Sequence, residues 1–325
     1  MDTIPPAAPT SLSASPPGWT NRNSFTVSWT NPLDNSGISG AFYKLDSPPT
    51  SNTDGTYVSG AGITSISGIT VSGDGPHVIY VWLKDNAGNV NYNNRASTTL
   101  YYDGTPPTGS VVIDAGATYA TSTSVTLTLS ASDATSGVFQ MCFSNDRTTW
   151  TSWEGYSTSK SWTLSPGDGT KTVYVKFKDA AGNESSVCTD NIILDTTPPA
   201  PPTFFGPLAT ASSTATGWSY TSTIPSLTLS GRVDPGCRVY LNDVPLPVAA
   251  NGSFSKTLTL APGSNRFTLR IVDQAGNTTT RTLDVYFPGT PPAPTAAPAI
   301  PGAVPFALGA IALIGVAAFL ILRLR

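Results

Sequence analysis

The sequence predicts an all-β chain: three small β-sandwiches in tandem, then a proline-rich stretch and one C-terminal apolar helix. Three observations carry that expectation. A phrase that ends a strand recurs as WLKDNAGN, KFKDAAGN and RIVDQAGN, placing Asp85, Asp179 and Asp273 at equal intervals of 94 residues. A second phrase marks joints: DTIPP from Asp2, DGTPP from Asp103, DTTPP from Asp195 and GTPP from Gly289. Charged residues make up 11% of the 325, while Gly and Pro each number 29; an ordinary soluble domain carries roughly 25% charge.

Self-similarity at a fixed period sets the architecture before any local assignment. Pro-Pro neither continues a helix nor donates to a β-ladder, so the joints bound units at residues 1–103, 104–196 and 197–288. Before each repeated aspartate the apolar residues alternate: Ile79, Val81, Leu83; Val173, Val175, Phe177; Phe267, Leu269, Ile271. Period two puts each set on one face of a strand, and burying three such side chains contributes on the order of 5 to 8 kcal/mol per unit. The other face carries Tyr80, Tyr174 and Thr268, with Lys84 and Lys178 further on. FTVSWT, VTLTLSA and SLTLSG predict an early strand in each unit, GAFYKLD, VFQMCFS and CRVYLND the next, and runs such as DNIILD the last. Trp19, Tyr119 and Trp218 stand six positions ahead of Phe25, Val125 and Ile224. Six or seven short strands in each unit, with turn residues throughout, imply a sandwich with Greek-key connections.

On these residues the three units resemble the immunoglobulin-like and fibronectin type III-like modules that prokaryotes string together on surface proteins. The first unit, with PAAPTSLSASPPGW and FTVSWTNP, is similar to fibronectin type III. The second, with SGVFQMCFSNDRTTW and KSWTLSPGDGTKTVYVKFKDAAGN, resembles the prokaryotic immunoglobulin-like type. The third, LTLSGRVDPGCRVYLNDVPLPVAANGSFSKTLTLAPGSNRFTLRIVDQAGN, resembles the repeats of adhesins. The likeness covers residues 1–288 and implies the fold; such modules serve as stalks, adhesins and spacers alike.

Residues 289–302 are rich in Pro and Ala and carry no charge, the composition of an extended spacer. Residues 303–322, opening on Ala303 and closing on Leu322, contain no charged or amide side chain. As a helix this stretch spans roughly 30 Å, the thickness of a bilayer core. Arg323 and Arg325 follow, and the preceding flank is uncharged back to Asp284. Positive-inside bias therefore predicts a single-pass cell-membrane protein with residues 323–325 in the cytoplasm and the sandwiches outside. A processed sorting signal is the alternative, although no L-P-x-T-G motif is present. The opening MDTIPP matches a joint and no export signal is visible, so a signal peptide or further repeats are expected upstream of Asp2.

Several function classes drop out. A net charge of −3 and a pI near 5.0 leave no basic footprint, so no nucleic-acid partner is expected. His77 is the one histidine, beside a Gly-Pro turn and without a G-x-S-x-G or H-E-x-x-H motif, and is expected as a solvated turn residue rather than a base. The chain therefore reads as no enzyme. Cys142, Cys188 and Cys237 lack C-x-x-C spacing, which argues against zinc and thioredoxin-type chemistry. An oxidising exterior allows a disulfide between Cys142 and Cys188, yet their expected strands flank the repeated one, roughly 9 to 10 Å apart, so bridging requires them to converge. Both states stay open, while Cys237 is expected as a buried free thiol. Asn183, Asn251 and Asn277 lie in N-x-S/T sequons, which matter in a glycosylating host. Trp150, Trp153, Tyr156 and Trp162 either stack on glycans or pack at an edge and in the core, with Trp162 inward.

One candidate site remains. In this topology the loop after the repeated strand, the loop between the second and third strands, and the N-terminal entry share a pole. Each unit places an aspartate at all three: Asp2, Asp34 and Asp85; Asp103, Asp133 and Asp179; Asp195, Asp234 and Asp273. The last joint has Pro288 instead, and no sandwich follows it. Each aspartate alone is ordinary turn chemistry, with Gly88, Gly182 and Gly276 supplying positive φ. Together, three carboxylates need a compensating cation, and Ca²⁺ takes hard oxygens that turn carbonyls, Asn89 or Asn183 and water would complete. The expectation is one Ca²⁺ per N-terminal pole in a non-enzymatic stalk, adhesin or envelope protein whose partners are other surface proteins or glycans. The alternatives are the anchoring half of a surface hydrolase with its catalytic domain upstream, and an accessory subunit of a membrane complex.

Overall fold

The computed structural model describes residues 1–289, and their regular structure is β apart from two short 3-10 turns, Asp114–Gly116 and Gly206–Thr210. The first sandwich comprises β1 (Thr10–Ser15), β2 (Trp19–Thr20), β3 (Phe25–Thr30), β4 (Ile38–Leu45), β5 (Thr56–Ser59), β6 (Ser65–Ile69), β7 (Gly75–Asp85) and β8 (Val90–Tyr102). One sheet runs β1-β3-β6 and the other β2-β8-β7-β4-β5. Every pairing is antiparallel except that of β2 with β8.

The second sandwich repeats this plan with β9 (Thr108–Ile113), β10 (Tyr119–Ala120), β11 (Ser124–Ser132), β12 (Val138–Ser144), β13 (Glu154–Gly155), β14 (Ser159–Thr163), β15 (Gly169–Asp179) and β16 (Cys188–Leu194). Its sheets are β14-β11-β9 and β10-β16-β15-β12-β13. The third uses β17 (Thr203–Phe205), β18 (Ser212–Ser213), β19 (Gly217–Thr221), β20 (Ser226–Arg232), β21 (Arg238–Leu241), β22 (Val244–Leu246), β23 (Ser253–Thr259), β24 (Gly263–Val272) and β25 (Thr278–Phe287). Its sheets are β17-β20-β23 and β18-β19-β25-β24-β21-β22, so β18 is an added edge.

The repeated strand is β7, β15 and β24, flanked on both sides in its sheet. Ile79, Val81, Val173, Val175, Phe177, Leu269 and Ile271 are fully buried, as their period-two spacing predicts, and Phe267 packs half-buried against the third core. Each core closes between the two sheets of one unit. The aromatic near each start lies on the strand that pairs in parallel with the last strand: Trp19 opposite Tyr101, Tyr119 opposite Ile193, Trp218 opposite Leu283. The six-residue spacing reaches the core at Phe25 and Val125 but fails in the third unit, where Ile224 is 57% exposed and Leu227 takes the core place. There the parallel pairing lasts five residues instead of two, which pushes the next strand along. Gly217 permits that longer pairing, since a Cβ would sit 2.0 Å from the Thr282 carbonyl oxygen.

The cysteines close a question the sequence left open. Cys142 pairs across to Lys176 and Cys188 to Val175. Directly opposed residues share a face and consecutive residues of β15 alternate, so the two thiols lie on opposite faces of the sheet and stay free. Cys188 Sγ donates to the Gly109 carbonyl at 3.0 Å, while burial pushes the Cys142 thiol up to about 11. Cys237 is a buried free thiol as expected. The linker after Gly289, the span 303–322 and the basic end 323–325 lie outside the described residues; among those described, no helix is long and apolar enough to cross a membrane.

Candidate metal centres

Asp85 and Asp179 close β7 and β15 and are each 1% exposed. The chain then doubles back through Gly88 and Gly182, whose φ of 95° and 96° only glycine adopts without strain. This return delivers an asparagine to the aspartate. The Asn183 backbone N–H donates to Asp179 Oδ1 at 2.8 Å, and its Nδ2 donates to Asp179 Oδ2 at 2.7 Å and to the Asp103 carbonyl at 2.8 Å. Asn89 repeats all three bonds toward Asp85 and the Asp2 carbonyl. Asn277 donates its N–H to Asp273 Oδ1 and its Nδ2 to the Asp195 carbonyl. Asn89 and Asn183 thus present donors at the pole, where sequence reasoning had offered them as ligands. They staple each sandwich's entry segment to the end of its repeated strand. The signal was in the repeated phrase, which always keeps an asparagine four places after its aspartate.

The loop aspartates are held by turn donors. Asp133 Oδ1 accepts from the N–H groups of Thr135, Ser136 and Gly137, and Asp34 Oδ1 accepts from the Ser36 N–H and hydroxyl. Asp103 Oδ1 accepts from Thr105 N–H, and its Oδ2 reaches the loop by accepting from Ser136 N–H at 3.0 Å. The outcome is convergence in two units: one carboxylate oxygen each from Asp2, Asp34 and Asp85, and from Asp103, Asp133 and Asp179, lie within 4.8 Å of one another.

The electrostatics of these clusters are one-sided. Among the described residues none of the six aspartates forms an ion pair with Lys, Arg or His. Each pair of like charges about 4 to 5 Å apart costs about 3 to 4 kcal/mol at an effective dielectric near 20. Burial pushes the Asp85 carboxyl up, but hydrogen bonds from the Asn89 side chain and N–H, from Ser36 and from Gly88 outweigh it and hold the group below the usual carboxylate range. In the first trio the Oδ2 atom of Asp2 is buried with no hydrogen-bond partner. A bare carboxylate oxygen beside two further carboxylates fits a hard cation, and the donor set is all oxygen.

Asp195, Asp234 and Asp273 do not meet to that distance. The N–H three places after Asp234, that of Cys237, donates to the Asp234 backbone carbonyl, whereas its counterpart Ser136 donates to the Asp133 carboxylate, so this donor does not orient the Asp234 carboxylate. The three aspartates line a cleft of about 560 Å³ between the second and third sandwiches, together with Tyr119 and Gln274.

His77 is 8% exposed rather than solvated. Its Nδ1 lies 3.0 Å from the Asp46 carboxylate and its Nε2 3.0 Å from the Gly73 carbonyl. Its two ring nitrogens face acceptors on separate segments, Asp46 and the Gly73 turn, so His77 tethers two loops. Tyr156 and Trp162 pack on the core of the second sandwich. Trp150 and Trp153 are half-buried under Lys176 and Lys178, whose ammonium groups stand 5.1 and 3.9 Å from the ring centroids and both pair with Glu184. One face of each of these two rings is therefore already covered by a cation.

No protein-family model and no curated protein matches the chain. Among solved structures it is similar to the fibronectin(III)-like modules of Clostridium thermocellum CbhA, at 14% identity over 56% of this chain and 92% of that one, with a TM-score of 0.32. It is also similar to a structure bearing on host cell surface retention of a bacterial ice-binding adhesin, at 17% identity over 88% of this chain and 100% of that one, TM-score 0.39. A tetra-tandem repeat from the extending region of a large adhesion protein matches at 18% identity over 85% of this chain and 73% of that one, TM-score 0.25.

Proposed function

We propose that the chain is a non-enzymatic extracellular rod, a surface stalk or adhesin, whose first two sandwiches each take one Ca²⁺ at the N-terminal pole. The observation that carries the cation is the same pole built twice, with three carboxylates gathered within 4.8 Å and Asp2 Oδ2 left bare. Ca²⁺ tolerates irregular shells of six to eight oxygens, which three carboxylates, turn carbonyls and water supply; Mg²⁺ demands a regular octahedron that such loops do not preform. One ligand of each site, Asp2 or Asp103, comes from the entry segment, so the ion would tie that segment to the sandwich it leads into. Residues 303–322 serve in this reading as the single membrane span, with residues 323–325 inside and the sandwiches outside. Other surface proteins are the favoured partners. Glycan stacking on Trp150 and Trp153 is disfavoured by the lysines over their rings. The absence of catalysis is supported by the single histidine being engaged at both nitrogens.

The test is a thermal melt of the chain in EDTA and again in millimolar Ca²⁺, repeated with Asp85→Asn and Asp179→Asn. Free cation at a hundred times its Kd adds about 2.7 kcal/mol to each loaded sandwich, a rise of several degrees in Tm. Each substitution removes the rise of its own sandwich. An unchanged midpoint in the parent chain overturns the cation reading.

A further inference from the structure

A second repeated feature lies at the opposite end of the repeated strand. Gly73-Asp74-Gly75 and Gly167-Asp168-Gly169 lead into β7 and β15, whose first residues are Gly75 and Gly169, at the same 94-residue interval. Their flanking glycines share one conformation, with φ of 84° and 136° in the first and 84° and 117° in the second. Each turn points its carboxylate at the connector leaving that sandwich. Asp74 Oδ1 accepts from Gly104 N–H at 2.8 Å, and Oδ2 accepts from the Thr105 hydroxyl. Asp168 Oδ1 accepts from Thr196 N–H at 2.9 Å and from its hydroxyl at 2.8 Å, and Oδ2 accepts from the Thr197 hydroxyl.

The sandwich that follows grips the same few residues from the other side. Asp103 N–H donates back to Thr20 of the first sandwich while its carbonyl accepts from Asn183 of the second. Asp195 N–H donates back to Ala120 while its carbonyl accepts from Asn277 of the third. Pro106-Pro107 and Pro198-Pro199 then stiffen what is left. Between consecutive sandwiches no connector residue from Asp103 to Thr105, or from Asp195 to Thr197, is free of a bond to one side or the other. Direct bonds between units add to this: Asn21 N–H to the Ala181 carbonyl, and the Tyr119 hydroxyl to Gln274 Oε1. Hydrogen bonds from the Thr105 hydroxyl and Gly104 N–H, and from Thr197 and Thr196, hold the Asp74 and Asp168 carboxyls below the usual range, as expected of charge-assisted bonds. The corresponding position of the third unit is Pro262, which has no carboxylate to offer.

We propose that Asp74 and Asp168 are joint latches, carboxylates by which one sandwich clasps the connector to the next and sets the angle between them. The device is distinct from the candidate cation sites, and it holds whether or not those sites bind an ion. Its test therefore runs on the full chain in EDTA, with Asp74→Ala and Asp168→Ala made singly. Spin-labelled amino acids other than cysteine replace exposed Ser67, Thr128 and Thr228, one per sandwich, and pairwise distances are read by dipolar spectroscopy.

Asp74→Ala is expected to broaden the Ser67–Thr128 distribution and to leave Thr128–Thr228 unchanged, and Asp168→Ala to do the reverse. Amide exchange at Gly104 and Thr196 should rise about fivefold or more in the corresponding variant, the consequence of losing bonds worth about 1 kcal/mol. Exchange in β7 and β15 reports whether the sandwich itself stays folded. If it does not, Thr105→Val and Thr197→Val remove the hydroxyl donors alone and are read in the same way. Distance distributions that stay as narrow as the parent's in both carboxylate variants overturn the proposal.

Discussion

Asn183 Nδ2 donates two hydrogen bonds, one to Asp179 Oδ2 and one to the Asp103 carbonyl 80 residues earlier in the chain. Both acceptors are buried, so truncating the donor leaves them unpaired, and that costs more than the bonds themselves are worth. Asn183→Ala is expected to destabilise the second sandwich by about 2 to 4 kcal/mol, measured as the shift in its denaturant midpoint at constant slope. Asn183→Asp should cost more, because it adds a fourth carboxylate to a cluster of three and removes the donor at once. Asn277→Ala should cost less, since its Nδ2 donates only to the Asp195 carbonyl. The same geometry makes Asn183 a poor glycan acceptor: it is 9% exposed and its amide nitrogen is engaged. Asn251, on an exposed turn, bonds through Oδ1 to Ser253 instead.

At the scale of the element, β15 separates what sequence can tell from what it cannot. Its buried face was legible because Val173, Val175 and Phe177 alternate over a stretch long enough to reveal period two. The two-residue strands β2 and β10 were not, since a period needs length to show. Trp82 breaks the alternation of β7: it stands on the outer face yet is fully buried, stacked on Phe42 and held by a bond from Nε1 to the Asn52 carbonyl of the loop that folds over it. The thiols needed cross-strand register, which puts Cys142 beside Lys176 and Cys188 beside Val175. The expected outcome is three free thiols per chain when unreduced protein is titrated in denaturant; a count of one would mean that the sheet faces are assigned wrongly. The candidate site divides in the same way. Repetition exposed the nine aspartates, but whether a trio converges depends on turn donors, and the Cys237 bond to the Asp234 carbonyl in the third unit acts at a level that spacing does not reach.

At the scale of the whole molecule, the three units share one strand plan, and one hydrogen-bonded seam differs in length among them. The parallel pairing between the early short strand and the last strand covers two residue pairs in the first sandwich, two in the second and five in the third, from Gly217 opposite Thr282 to Thr221 opposite Tyr286. Parallel neighbours are dragged lengthwise past each other when a unit is pulled from its two ends, so the bonds of the seam carry the load together instead of peeling one after another. Tension drawn through the rod should therefore open the first and second sandwiches before the third, and single-molecule pulling should record two lower rupture forces and one higher; three equal forces would deny the seam that role. The unit nearest the C-terminal end would then be the last to yield under drag.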